Sequence, residues 1–256
     1  MLNVSNLEKI RTDFEILKGA FPKLSLIEEN ESLVVVGDLE FKVNYAGETF
    51  DAHFLIELSG LENYPLDPPF AKELTGRTLH WHTYNDGILC ITAPAELKRK
   101  YNEYKDLIGF VENMLIPYFS AFLFWEKHGY SPDGEYAHGP EGLFEYYKEF
   151  FNVGSERIVL LFLQTIILGS YAGHLGCVCE SGKIFRKCHG EKIIELKRLQ
   201  SLRELACEFL GMLLFLIKGN SSFEREGIRY KEVLSFAKKR KYLVVPEKVQ
   251  SIKLRS

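Results

Sequence analysis

Disulfide-forming cysteine, nucleotide-binding glycine loops and long charge-free runs are all scarce in this chain, and each scarcity excludes a class of protein. Five cysteines in 256 residues are too few for a disulfide scaffold. Four of the five stand near histidines or other cysteines, which suits a reducing, cytoplasmic setting. No P-loop is present and no Gly-x-Gly-x-x-Gly follows a strand, so chemistry driven by ATP would need a separate protein. The N-terminal stretch carries Glu8, Asp13 and Glu15 and no apolar signal core, so a secretory signal is not expected. Residues 158–179 lack Asp, Glu, Lys and Arg, but only 158–168 are strongly apolar. A buried core helix is expected there, not a membrane span.

What is present is an ordinary globular composition, 46% hydrophobic and 26% charged, enough to bury a core without staples. The net charge of −3 hides a split. Residues 1–152 hold 13 Lys and Arg against 25 Asp and Glu, whereas 153–256 hold 19 against 10. A change of sign at one point marks a domain boundary. The basic part has two readings: attraction to the acidic part, or a surface for nucleic acid or an acidic protein.

Leu7, Ile10, Phe14 and Leu17 share one face of a helix over 4–20. Strand-like runs follow at 33–36, 39–45 and 50–58, with Gly37-Asp38 and Ala46-Gly47-Glu48 read as hairpin turns. The cluster Tyr64-Pro65-Leu66-Asp67-Pro68-Pro69 stops any helix or central strand. Residues 105–125 are helical in pattern, with Pro117 as a kink, and a loop over 129–142 leads into an aromatic helix over 143–151. Beyond it the pattern is mostly helical: 158–170, 205–217 and a basic amphipathic stretch over 223–242.

The segment Leu79-His80-Trp81-His82-Thr83-Tyr84-Asn85-Asp86-Gly87-Ile88-Leu89-Cys90 places two imidazoles ten and eight residues before a thiol. A lone cysteine is most often a small buried hydrophobe. Here an Asn-Asp-Gly turn can fold the histidines back toward the sulfur. A thiolate beside imidazole is an available nucleophile, and histidine can stabilise an oxyanion. His80, His82 and Cys90 could also ligate a metal, but the segment offers no convincing fourth ligand.

The proline turn, the spacing from His80 to Cys90 and the order of elements resemble the ubiquitin-conjugating enzymes. Tyr64–Pro69 matches their Tyr-Pro-x-x-Pro-Pro turn, His80 their motif histidine, and Cys90 their active cysteine. The resemblance implies an α+β fold over 1–152, with an N-terminal helix, a four-stranded antiparallel meander and C-terminal helices. It also implies an acyl thioester on Cys90, passed to an amine. Trp81 and His82 replace the family's proline and asparagine, so His82 is the candidate oxyanion donor and His80 the residue expected to brace the loop. The tryptophan usual after the cysteine is missing, and Leu97-Lys98-Arg99-Lys100-Tyr101 stands there instead. The His-x-His variant looks like bacterial relatives in ubiquitin-like conjugation and antiphage defence operons. A His-Gly segment after Gly134-Glu135 looks the same way and makes His138 a candidate wall or base of the site, or else a loop-packing residue.

Residues 176–190 contain Cys177, Cys179, Cys188 and His189, a Cys-x-Cys and a Cys-His pair joined by a turn at Ser181-Gly182. Three thiolates and one imidazole make a closed tetrahedral zinc site, and a closed site serves structure or docking rather than catalysis. Lys183, Arg186 and Lys187 would offset its negative charge. The segment resembles the SEC-C zinc motif. Cys207, on an apolar helix, is read as core.

Two domains are therefore expected, a ubiquitin-conjugating-like catalytic domain over 1–152 and a helical zinc domain over 153–256. The expected partners are a ubiquitin-like modifier or other protein C-terminus and a separate ATP-dependent activating enzyme, with a deconjugating protease in such an operon. No membrane is expected. The chain has no terminal Gly-Gly, so it is not expected to be the modifier. The alternatives are a non-catalytic module that binds a ubiquitin-like protein and a nucleic-acid-associated zinc adaptor.

Overall fold

The computed structural model describes residues 4–29, 32–84, 86–132, 139–219 and 227–242. The chain is α+β and divides into two compact units, Met1–Glu135 and Tyr136–Ser256. The division falls upstream of 152, so the aromatic helix after the glycine-rich loop belongs to the second unit.

In the first unit helix α1 (Val4–Ala20) precedes strands β1 (Leu24–Glu29), β2 (Ser32–Tyr45), β3 (Glu48–Ser59) and β4 (Phe70–Glu73). They form one antiparallel sheet in the order β1-β2-β3-β4. Alternate residues of β3, Ala52, Phe54, Ile56 and Leu58, are buried, the period-two signature of a sheet with one wet face. Ile10, Phe14 and Leu17 of α1 join the same core.

The turn at Ala46-Gly47 is a tight hairpin with both residues at positive φ, 51° and 83°. Gly37-Asp38 is not a hairpin turn. It lies inside the single long strand β2, where Gly37 pairs with Leu24 on one side and Ile56 on the other. A Cβ at Gly37 would come within 2.3 Å of the Lys23 carbonyl oxygen, so close backbone approach explains this glycine. The runs at 33–36 and 39–45 are therefore one strand, and the two strands without a predicted run are β1, a short Leu-Ser-Leu-Ile segment followed by acidic residues, and the four-residue β4.

Helix α2 (Pro94–Tyr104) begins with proline in its first turn and ends at Lys105 in the left-handed region. Asp106 then caps α3 (Leu107–Phe110), its side chain accepting from the Gly109 amide at 2.7 Å. A single π-helical turn, Val111–Leu115, leads into α4 (Ile116–His128). There the Ile116 amide reaches back to the Val111 carbonyl. Pro117 has no amide to donate and would crowd the preceding turn of a regular helix, and the wider turn ahead of it accommodates both effects. Phe119 of α4 stacks on Phe54 with ring centroids 3.9 Å apart. Among the described residues, Leu107–His128 is long and apolar enough to cross a membrane, but 67% of its most apolar window is buried. It is the core helix of this unit.

The second unit contains α5 (Pro140–Phe151), α6 (Glu156–Ile167), α7 (Gly190–Leu199), α8 (Leu202–Gly219) and α9 (Tyr230–Lys239). The charge-free stretch after residue 158 forms α6, and every residue from Val159 to Ile167 is buried. It stops at Gly169, which takes a φ of 66°. Phe151 stacks on Phe162 at 4.3 Å, fixing α5 on α6. Ser201 and Glu204 bond each other's backbone amides, a reciprocal cap that starts α8. Helix α9 begins at Tyr230, because Gln164 of α6 accepts from the Arg229 amide and donates to the Gly227 carbonyl.

Candidate functional site

The thiol segment is a small hairpin attached to β4. Thr83 pairs with Leu89, and Lys72 of β4 pairs with Ile88. The Leu89 amide donates to the Ala71 carbonyl at 2.8 Å. At the tip Gly87, with φ 84°, donates to the Tyr84 carbonyl at 2.9 Å, and the Tyr84 amide donates to Ile88 at 2.8 Å. The Cys90 amide donates to the His82 carbonyl at 2.7 Å, so the chain does bring the histidine segment back beside the cysteine.

Cys90 is half-buried and unpaired. Among the described residues its sulfur has one hydrogen-bond partner, the Tyr84 hydroxyl at 3.3 Å. The Thr83–Leu89 pairing explains this contact. Positions 82 and 90, and 84 and 88, then stand opposite one another on the same hairpin face, which makes Tyr84 a diagonal neighbour of Cys90. Tyr84 was not singled out from sequence, although this parity was there to be used.

His82 is half-buried, has φ 42° and packs against Trp81 with ring centroids 4.5 Å apart. Its backbone is held from α4: the buried Tyr118 hydroxyl lies 3.0 Å from the Trp81 carbonyl and 3.1 Å from that of His82. Thr83 Oγ1 donates to the Thr78 and Trp81 carbonyls at 2.8 and 3.0 Å. His80 is exposed and makes no hydrogen bond among the described residues. The bracing expected of His80 therefore falls to Tyr118 and Thr83. His138 lies outside the described residues. Burial raises the Tyr118 phenol above its ordinary range, which keeps it a donor.

The proline turn that precedes β4 is anchored through Tyr64. Its ring is fully buried and its hydroxyl donates to the buried carboxylate of Asp13 on α1, which also meets Lys9 at 2.8 Å. Lys98 of α2 reaches Asp67 in the same turn.

No family model, curated protein or solved structure matches the chain. The second cluster therefore rests on geometry alone. Gly176 pairs with Ile184, the Cys177 amide donates to the Lys183 carbonyl at 2.8 Å, and Glu180 and Gly182 take positive φ between them. This knuckle brings one ligand atom each from Cys177, Cys179, Cys188 and His189 within 4.8 Å of one another. Cys177 Sγ and Cys188 Sγ lie 3.4 and 3.1 Å from His189 Nδ1, and Cys179 Sγ lies 3.4 Å from Cys188 Sγ. Donors around a tetrahedral zinc ion stand roughly 3.5–3.8 Å apart, so the set needs little adjustment.

His189 Nε2 lies 2.8 Å from the Phe151 carbonyl. That bond places a hydrogen on Nε2 and leaves Nδ1 as the lone-pair donor toward the thiols. Burial pushes the Cys177 thiol up to about 12. Burial also opposes ionisation of Cys179, but hydrogen bonds from Ser181, Cys177 and Cys188 together outweigh it and bring that thiol down to about 6. Lys183, Arg186 and Lys187 are exposed around the knuckle. Cys207 is half-buried on α8 and does not join the cluster.

Proposed function

We propose that the chain is a bacterial ubiquitin-conjugating-like acyltransferase that carries a protein C-terminus as a thioester on Cys90. One observation carries this reading: a half-exposed thiol sits on a hairpin that follows a helix, a four-stranded antiparallel meander and a proline turn anchored by the buried Tyr64. The thiolate attacks the carbonyl of an activated modifier C-terminus, a C–S bond forms, and the activating partner's leaving group departs with its electron pair. An amine then attacks the same carbonyl, a C–N bond forms, and the electron pair of the broken C–S bond returns to Sγ. The amine proton leaves to solvent or a base. A thioester stays reactive toward amines, so the protein's task is positioning the amine and excluding water.

His82 is the oxyanion donor in this reading. The modifier is a ubiquitin-like or other small protein, activation comes from a separate ATP-dependent enzyme, and the setting is cytoplasmic antiphage defence. A deconjugating protease would reverse the modification. Zinc is the ion for Cys177, Cys179, Cys188 and His189, where it would fix the knuckle against α5 as a structural centre.

The test is the covalent adduct. With its activating system, wild-type chain should form a partner adduct that thiol reductants cleave, Cys90→Ser should trap an oxyester, and Cys90→Ala should form neither. An adduct surviving in Cys90→Ala moves the chemistry elsewhere. Partner binding without any adduct favours a non-catalytic module.

A further inference from the structure

We infer that the second unit holds a binding site for a small organic anion with an apolar body, in the cleft between the ends of α6, α7, α8 and α9. The cleft measures about 380 Å³, within the range of small-molecule sites. Ile166 of α6, Leu202 of α8 and Phe236 of α9 supply apolar wall, and no Asp or Glu lines the space. Lys197 of α7 and Arg240, just after α9, supply two cations.

Neither cation has a carboxylate partner among the described residues. Arg240 lies over the Phe236 ring at 4.8 Å, and its Nη1 is 3.5 Å from the Tyr242 hydroxyl, contacts that hold it at the cleft without neutralising it. The one neutral polar side chain in the lining, Gln200, is 5% exposed and already satisfied. Its Oε1 accepts from Tyr147 at 2.6 Å and its Nε2 donates to Glu208 at 2.8 Å. Selection of a head group is therefore left to Lys197 and Arg240. Two cations without a carboxylate partner border apolar surface that is left wet, and an amphipathic anion pairs with the charges and covers the surface. Carboxylate and phosphate heads share this chemistry.

Calorimetric titration of the full chain at low ionic strength with octanoate, octyl phosphate and octanol tests the site. Saturable one-site binding of at least one anion, at least tenfold tighter than octanol, is expected, and the tighter anion names the head group. Lys197→Gln combined with Arg240→Gln should weaken the anions about tenfold and leave octanol unchanged. Leu202→Trp, which fills the well, should abolish all binding. No saturable binding by either anion, equal affinity for octanol, or unchanged anion affinity in the exposed-charge double variant would each overturn the inference. Both of those charges are on the surface, so that variant remains decisive even if Leu202→Trp fails to fold.

Discussion

Glu208 should make the second unit less stable as pH rises through neutrality, and Glu208→Gln should remove that dependence. Tyr147 has a single phenolic hydrogen but two close oxygen neighbours, Gln200 Oε1 at 2.6 Å and Glu208 Oε2. Gln200 Nε2 donates to the other carboxyl oxygen of Glu208 at 2.8 Å. The hydrogens suffice only when Glu208 is protonated: its O–H donates to Tyr147, and Tyr147 donates to Gln200. Burial, helped by the charge of Glu204, raises Glu208 from 4.5 to about 7 against the hydrogen bonds from Tyr147 and Gln200.

The folded value lies above the unfolded one, so the folded chain binds more protons between them. The group's stabilisation is complete below about pH 4.5 and is lost as pH climbs through about 7. That interval corresponds to ~3 kcal/mol. Glutamine reproduces the protonated acid, one N–H toward Tyr147 and the oxygen toward Gln200. At pH 8 Glu208→Gln should therefore be more stable than wild type by up to ~3 kcal/mol, a melting-temperature gain on the order of 10 °C, and at pH 5 the two should nearly coincide. Thermal unfolding by circular dichroism at both pH values reads the difference directly. A gap that is the same at both pH values, or a variant less stable at pH 8, would refute the protonated network.

Chain purified without added metal should contain one zinc ion, and a chelator should loosen residues 174–192 in hydrogen exchange while Cys90 still reacts with an alkylating reagent. Substoichiometric metal with free thiols would remove the zinc assignment. Gly37→Ala should cost at least ~2 kcal/mol in urea unfolding, because its Cβ would meet the Lys23 carbonyl at 2.3 Å. His82→Ala should load normally but discharge to an amine about 100-fold more slowly in single-turnover assays. His80→Ala, in contrast, should leave both stability and discharge unchanged, since the exposed ring makes no bond among the described residues.

The parts of the fold that declare themselves by periodicity were readable from the chain. Ile10, Phe14 and Leu17 of the first helical stripe are buried with Leu7 at their edge, Ala46-Gly47 forms the expected hairpin turn, and the apolar run of α6 is buried. Gly37 misled because a glycine required by close strand approach looks the same in sequence as one required by a turn. The start of α9 depends on Gln164, 65 residues away, and no local pattern carries that information. The metal cluster was readable because all four donors lie within one short segment. At Cys90 the sequence pointed to imidazoles, and the hairpin sets position 82 opposite the thiol while the Tyr84 hydroxyl is the sulfur's hydrogen-bond partner among the described residues. Hairpin parity puts both positions on the thiol's face, and that parity follows from the Thr83–Leu89 pairing.

The wide turn at Val111–Leu115 makes the length of that helix a kind of information separate from its residues. A π turn spends five residues where an α turn spends about four, so it absorbs one surplus residue and hands the helix on in nearly the same phase. Beyond it Phe119 meets Phe54, and Tyr118 meets the carbonyls of Trp81 and His82. Deleting one residue between 111 and 115 should therefore leave both rings on their partners, whereas one residue added between Ile116 and Tyr118 would turn them by about 100°. The loop that carries Cys90 is thus indexed to the core by a residue count on one side of the wide turn and is insulated from it on the other.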